Sequence, residues 1–321
     1  RDLHRYYVRS CEELGIDYQV IDIIAPTWME EVLSSDCDGF LCRPPSKFQE
    51  RKTLFDERLY IVSNWLNKHI YPSYKELFIY ENKRMMSYWL KLNNFPHAKT
   101  LIFYRKEDFD DFLSTNKKYP LVFKTNVGST SKGVTFIRSK AKAKLIAHSI
   151  FGLFNTKLSL GYTPETTGAL KFPAFGTLQK HYLLIQEFEK IKWEWRIIKI
   201  GDSYFGHKKL LDGEFASGSG KVGWDPPSKE LLLMVKKICD TGGFLSMAAD
   251  IFETEDGRFL VNELQSIFGS YDDSQMYIDG KPGRYRYIDG DFVFEEGMFN
   301  RHGSYLLRVK HFVELLDKGE I

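Results

Sequence analysis

Apolar positions along the chain switch between a repeat near 3.6 and a repeat of 2, and the switches divide it into helices and strands. In the first stretch the two alternate. RYYVRSCEEL reads as a helix ending at Gly15, DYQVIDI as a strand and WMEEVLSS as a helix. GFLCRP is a strand stopped by Pro44 and Pro45, and FDERLYIVSNWLNKH an amphipathic helix. Helix and strand in turn predict a parallel, Rossmann-like sheet over residues 1–75. RDLHRYYVRSCEELG opens midway through such a unit, so a strand is expected to precede it. No GxGxxG occurs there, which disfavours a dinucleotide site.

A connecting segment, 76–117, carries the helix YENKRMMSYWLKLNN and, after Pro96, the strand KTLIF. A lid region of α+β character is expected over 118–187. It holds the strands LVFK and VTFI around a small-residue loop, then the helix SKAKAKLIAHSIF. The stretch from Asn155 to Gly176 has Gly, Thr and Pro without a period and reads as a working loop or an insertion. HYLLIQEFE, EWRIIKIG and SYFGHKKLL are consecutive strands, the last two a hairpin turning at Gly201-Asp202. In the C-terminal region, 188–321, a helix over SKELLLMVKKICDTG precedes the hairpin SMAADIFETEDGRFLVNELQ, which turns at Glu255-Asp256-Gly257. DGKPGRYRYIDGDFVFEEG resembles a small β-appendage, and SYLLRVKHFVELL closes the chain as an amphipathic helix. The predicted class is α/β.

Composition adds limits. The 321 residues suffice for two or three modules. A net charge of +2, with both signs mixed, gives no field that points to nucleic acid or a membrane surface. The four cysteines, Cys11, Cys37, Cys42 and Cys239, form no CxxC and no zinc-finger spacing, so free thiols and a cytoplasmic location are expected.

Two places carry candidate chemistry. In LVFKTNVGSTSKGVTF, Gly128 and Gly133 have the first spacing of a Walker loop, but Val134 stands where its lysine belongs and a strand follows instead of a helix. What remains is a strand–loop–strand flap. Its backbone amides and the hydroxyls of Ser129, Thr130 and Ser131 suit phosphates, with Lys124 at its mouth as a point charge. The same residues also suit a flexible hairpin tip with a solvated lysine. In MAADIFETEDGRFLVNELQ, Asp250 and Glu263 sit among apolar residues on the two arms of a hairpin, with Gln265 beyond on the same face. A carboxylate in apolar company requires a cation. This oxygen cluster suits magnesium, which takes one or two carboxylates plus nucleotide phosphates. The alternative is a pair of exposed hairpin carboxylates.

With flap and hairpin in one chain, the sequence resembles the ATP-grasp superfamily over about residues 76–270. It is most similar to the carboxylate–amine ligase branch that includes D-alanine–D-alanine ligases and ribosomal-protein glutamate ligases. The resemblance implies an ATP-grasp fold behind a Rossmann-like pre-domain, with ATP and Mg2+ as cofactors. In YENKRMM it gives Lys83 to the nucleotide phosphates, and in FKTNVGSTSKGV it gives Lys124 and the loop from Gly128 to Gly133 to the lid. IQEFEKIKWEW resembles the interdomain hinge, with Glu187 and the backbone of Phe188 to Lys190 facing adenine and Glu194 on the ribose. Lys209 falls where such ligases place a basic residue near the transferred phosphate. Asp250, Glu263 and Gln265 match the metal ligands. Two departures stand out. Ala248 occupies the place of an arginine in D-alanine–D-alanine ligases, and Gln265 the place of an asparagine. Arg196 or Lys221 is the substitute for the missing cation.

The chemistry so implied is attack of a small-molecule or peptide carboxylate on the γ-phosphate, then displacement of phosphate by an amine. Lys83, Lys124 and Lys209 neutralise charge and the flap excludes water. The other readings are an ATP-grasp phosphotransferase acting on a hydroxyl and a nucleotide-binding sensor or scaffold without turnover. Ligases of this type often form homodimers. SGSGKVGW (Ser217–Trp224) and SIFGSYDD (Ser266–Asp273) are candidate substrate contacts or ordinary turns, and His207 reads as a packing residue.

Overall fold

The computed structural model describes residues 4–44, 49–128, 133–152, 179, 181–213, 216, 220–269 and 273–321. Ser129, Thr130 and Ser131, the stretch from Asn155 to Gly176, and parts of the two candidate substrate segments lie outside the described residues.

The N-terminal layer comprises α1 (Arg5–Leu14), α2 (Trp28–Ser34), β1 (Phe40–Leu41), α3 (Gln49–Tyr60), β2 (Ile70–Tyr71) and α4 (Tyr74–Ile79). Gly15 ends α1 in the left-handed conformation at φ 64°, as its place after the periodic run predicts. The helix expected from Phe55 begins earlier, at Gln49, and its last turn widens into a π-helix over Ile61–Trp65. β1 and β2 pair in parallel, Phe40 with Ile70 and Leu41 with Tyr71. The expected strand over Asp17–Ile23 does not form. It has no neighbouring strand to bond, and Ile21 and Ile23 pack against the cluster around Trp28, Val32 and Leu59 instead. The alternating pattern thus yields a parallel sheet of two short strands.

α5 (Lys83–Leu92) leads into a four-stranded antiparallel sheet in the order β3-β6-β4-β5. Its members are β3 (Thr100–Phe103), β4 (Leu121–Lys124), β5 (Val134–Ile137) and β6 (Leu183–Glu187), with α6 (Lys106–Thr115) and α7 (Lys140–Phe151) beside them. β3 and α6, placed by the sequence in the connecting segment 76–117, therefore build this unit. Phe109, Leu121, Ile137 and Leu183 form its core. Ser139 caps α7 by accepting from the Lys142 amide.

The remaining strands make an eight-stranded sheet with the central order β11-β10-β7-β8-β13-β12. They are β7 (Ile191–Ile200), β8 (Ser203–Lys209), β9 (Val222–Gly223), β10 (Ser246–Thr254), β11 (Phe259–Gln265), β12 (Tyr277–Ile278), β13 (Lys281–Ile288) and β14 (Asp291–Glu296). α8 (Lys229–Gly242) covers one face and α9 (Tyr305–Lys318) returns to pack on α1. β13 bonds β8 through Tyr285–Tyr204 and Arg286–Ser203, so the expected appendage is an extension of the main sheet. Trp195, Ile197, Ala249, Ile251 and Leu264 point into the cluster under α8 and α5. Each large apolar side chain fully buried there contributes roughly 1.5–3 kcal/mol.

Glu76 staples the N-terminal layer to this sheet. One carboxylate oxygen accepts from the Ser73 amide at the start of α4, the other from the Ser246 amide at the start of β10, both at 2.7 Å.

Candidate active site

Side chains two apart on a strand share a face, and the register aligns one row across four strands. Glu263 on β11 stands opposite Asp250 on β10, Asp250 opposite Arg196 on β7, and Arg196 opposite His207 on β8. The next row sets Glu194 opposite Lys209. The hairpin expectation for Asp250 and Glu263 is therefore met in its geometry: the two are register partners. Beyond them the ladder slips, with Ile251 opposite Val261, which leaves Asn262 as the extra residue of a β-bulge. Through it Asn262 and Glu263, adjacent in sequence, line the same cavity.

The row is densely ionic. Arg196 grips Asp250 with Nε and Nη2, each 2.9 Å from a different carboxylate oxygen. Lys209 Nζ bonds Asp250 Oδ2 as well and lies 3.5 Å from Glu194 Oε2. Burial alone pushes the Asp250 carboxyl up, but Arg196 and then Lys209 outweigh it and hold its pKa below the usual range. Arg196 thus supplies the positive charge beside Asp250 from the neighbouring strand, while Ala248 faces Ile198 and Lys221 pairs with Asp212.

Glu263 is arranged differently. Lys83 Nζ, from the first turn of α5, lies 3.1 Å from Glu263 Oε1 and 3.8 Å from Glu81 Oε2. It also donates to the Gly128 carbonyl at 2.7 Å, while the Gly128 amide donates to Glu81 at 2.9 Å. The foot of the flap is thereby latched to the start of α5. Burial raises the pKa of Glu81, whereas for Glu263 Lys83 overcomes burial and lowers it. Lys124, at the end of β4, donates to Asn262 Oδ1 at 2.8 Å, and Asn262 Nδ2 to Glu194 Oε1 at 2.7 Å. Burial, reinforced by Lys83, depresses the Lys124 amine to about 8.

These groups border a cavity of roughly 410 Å³. Lys83, Lys124, Gly128, Glu194, Asn262 and Glu263 line its polar part. Val122, Phe136, Phe188, Ile191 and Leu211 line an apolar part, with Glu187 and Lys190 at the connection between the two sheets. Arg196, Lys209 and Asp250 lie behind it in the row. Gln265 is buried close to Glu81 and lowers the pKa of that carboxyl against burial. Gly133 sits at φ 87°, where an added Cβ would come within 2.2 Å of Thr125 Oγ1. His207 is buried, its pKa depressed to about 4 by burial, with Nδ1 3.0 Å from the Gln275 carbonyl.

Three site residues escape the sequence reading. Asn262 was signalled only by a polar residue breaking the alternation of FLVNELQ. Glu81 precedes the helix-capping Asn82 and carried no pattern of its own. Asn126 is buried; its side chain accepts from the Arg84 amide at 3.0 Å and donates to Gln49 at 2.8 Å, tying the flap to α5 and α3.

Among the described residues, no group of three or more His, Cys, Asp or Glu is arranged to hold a metal ion. Glu263 faces the cavity and fits a magnesium ion whose other ligands are phosphates and water. Asp250, with both oxygens engaged by cations, fits that role only by releasing one of them. Also among the described residues, no helix is long and apolar enough to cross a membrane.

Neither a protein-family profile nor a curated protein matches the chain by sequence. Solved structures do match in fold. N5-carboxyaminoimidazole ribonucleotide synthetase from Thermotoga maritima superposes with a TM-score of 0.55 at 15% identity, over 83% of this chain and 66% of that one. The N5-carboxyaminoimidazole synthetase from Staphylococcus aureus, complexed with ADP, gives 0.59 at 13% identity, over 88% and 79%. A RimK domain protein ATP-grasp from Sphaerobacter thermophilus gives 0.53 at 14%, over 82% and 86%. This chain therefore spans just under two thirds of the Thermotoga protein. At such identities the likeness is one of fold, and the fold is ATP-grasp, as the sequence resemblance implies.

Proposed function

With an ATP-grasp fold as the premise, we propose that the protein is an ATP-dependent ligase that activates a carboxylate as an acyl phosphate and joins it to an amine. The observation that carries this reading is the convergence of Lys83, Lys124 and Glu263 on one part of a cavity whose other part is apolar. Such a cavity matches a nucleotide, with phosphates against the lysines and the base against Val122, Phe136 and Phe188.

A substrate carboxylate oxygen attacks the γ-phosphorus, the bond to the β,γ-bridging oxygen breaks, and ADP leaves. The amine then attacks the acyl carbon, expels phosphate and loses a proton. Among the described residues no carboxylate touches Lys124, which gains a counter-ion when phosphates arrive; Lys83 exchanges the Gly128 carbonyl for them. Lys209 and Arg196 keep positive charge beside Glu194 and Asp250 on the sheet face. A magnesium ion at Glu263 would add charge neutralisation at the phosphates. Glu194 is the group proposed for the ribose, and Ser129, Thr130 and Ser131 are the proposed lid groups. Substrates of this kind are small-molecule or peptide acids and amines, and a cytoplasmic setting fits the use of ATP.

Hydroxylamine trapping tests the reading. Protein, Mg-ATP, hydroxylamine and pooled amino acids, peptides and sugar acids should yield a hydroxamate together with ADP. ADP without hydroxamate would instead indicate transfer to a hydroxyl. ATP bound with no ADP formed would indicate a sensor or scaffold.

A further inference from the structure

A second cluster of cations lies outside that cavity, where the N-terminal layer meets α9. Arg308 is fully buried. Its guanidinium stands 3.9 Å from the ring centroid of Phe268 and 4.9 Å from that of Tyr305, and Nη2 donates to the Phe268 carbonyl at 3.3 Å. Among the described residues, Nε and Nη1 have no hydrogen-bond partner. Arg43, just beyond the carboxyl end of β1, lies 5.2 Å from the same Tyr305 ring and gives Nε to its hydroxyl, yet its buried Nη1 is also unpartnered. The Tyr7 hydroxyl, buried on α1 within reach of the Arg308 charge, has no close hydrogen-bond partner among the described residues either.

A guanidinium does not shed its proton in a protein, and a buried charge without a counter-ion is strongly unfavourable. Aromatic faces offset only part of that cost. Among the described residues, three buried guanidinium nitrogens beside one ring thus lack an acceptor, and the arginine fork has the geometry to match an oxyanion. The place is also apt. Open α/β sheets receive ligands beyond the carboxyl ends of their strands, and Tyr7 and Arg43 line a second cavity, of roughly 760 Å³. Phe268 follows Glu263 and Gln265 closely along the chain, through Ser266, whose buried hydroxyl is unpartnered as well.

We propose that Arg43 and Arg308, both beside the Tyr305 ring, form a subsite for an oxyanion carried by the substrate, either a carboxylate or a phosphate, at a point remote from the reacting carboxyl. Calling this anion a substrate group rests on the ligase reading; its binding does not. The substrate is then at least dianionic, which excludes simple monocarboxylic acids.

The test uses the intact protein saturated with ADP, so that the nucleotide site is filled, and titrates it separately with inorganic phosphate and with succinate. Calorimetry and the shift of the unfolding midpoint report binding. One of the two probes should bind the wild type, and which one distinguishes a phosphate from a carboxylate. Arg43→Met should weaken that probe at least about tenfold, the effect of losing a charge-assisted hydrogen bond, while ADP affinity stays the same. Arg308→Lys should weaken it too if the variant folds, but Arg43→Met alone decides. Absence of binding of either probe to the wild type, or equal affinity in wild type and Arg43→Met, overturns the subsite. If ADP fails to bind while probe affinity still depends on Arg43, the subsite stands and the ligase reading falls.

Discussion

Asp250 and Glu263 face each other across one pair of strands, yet they serve opposite ends of the site. Asp250 is enclosed: Arg196 and Lys209 take both its oxygens, and nothing of it lines the cavity. Glu263 shares Lys83 with Glu81 and opens onto the cavity. The same residue class at matched register thus becomes a structural anchor or a ligand-facing group according to the cations its neighbours bring. β7 brings an arginine to Asp250, whereas α5 brings Lys83 to Glu263.

That contrast is most sharply tested by stability. Asp250→Asn leaves two buried cations with a neutral partner and should destabilise the fold by about 3–5 kcal/mol. Glu263→Gln, whose lysine keeps Glu81, should cost about 1 kcal/mol or less. Equal losses in urea unfolding would erase the distinction. Turnover should rank the pair the other way. In Glu263→Gln the rate of ADP release should fall at least about a hundredfold, the scale of losing a group that stabilises transition-state charge, with full nucleotide-free stability retained to within that 1 kcal/mol.

Smaller effects probe the lysine on the open side. Lys124→Met should weaken ADP about tenfold by direct titration, through loss of one charge-assisted contact. Unfolding of the same variant at pH 7 should show no loss of stability, because a desolvated amine without an ion pair is removed. The last effect is in pH. The Lys124 amine titrates at about 8 when folded against 10.5 for an exposed lysine. Between those values the unfolded chain binds more protons, so stability rises with pH across that window. The rise should be visible in the wild type relative to Lys124→Met; parallel profiles for the two would show that Lys124 is not depressed.

Much of this was legible. EWRIIKIG and MAADIF read as strands, and the Asp256-Gly257 turn set Asp250 and Glu263 on the two arms of one hairpin. Lys83 and Lys124 stood out at the start of a helix and the end of a strand. What the pattern could not show depends on distant partners. DYQVIDI alternates like a strand, but alternation provides no neighbour to bond. The bulge at Asn262 changes which face a residue points to, and period-2 reading assumes that no residue is extra. The orphaned nitrogens of Arg43 and Arg308 come from parts of the chain far apart in sequence, so neither had a motif to announce it.

The staple at Glu76 decides how this molecule can breathe. One carboxylate holds the first amides of α4 and β10 together, and burial lifts its pKa against the hydrogen bonds it accepts. The N-terminal layer and the eight-stranded sheet are therefore pinned to each other at a single buried carboxylate, and the Gly128 backbone cannot leave α5 without first breaking its hydrogen bonds to Lys83 and Glu81.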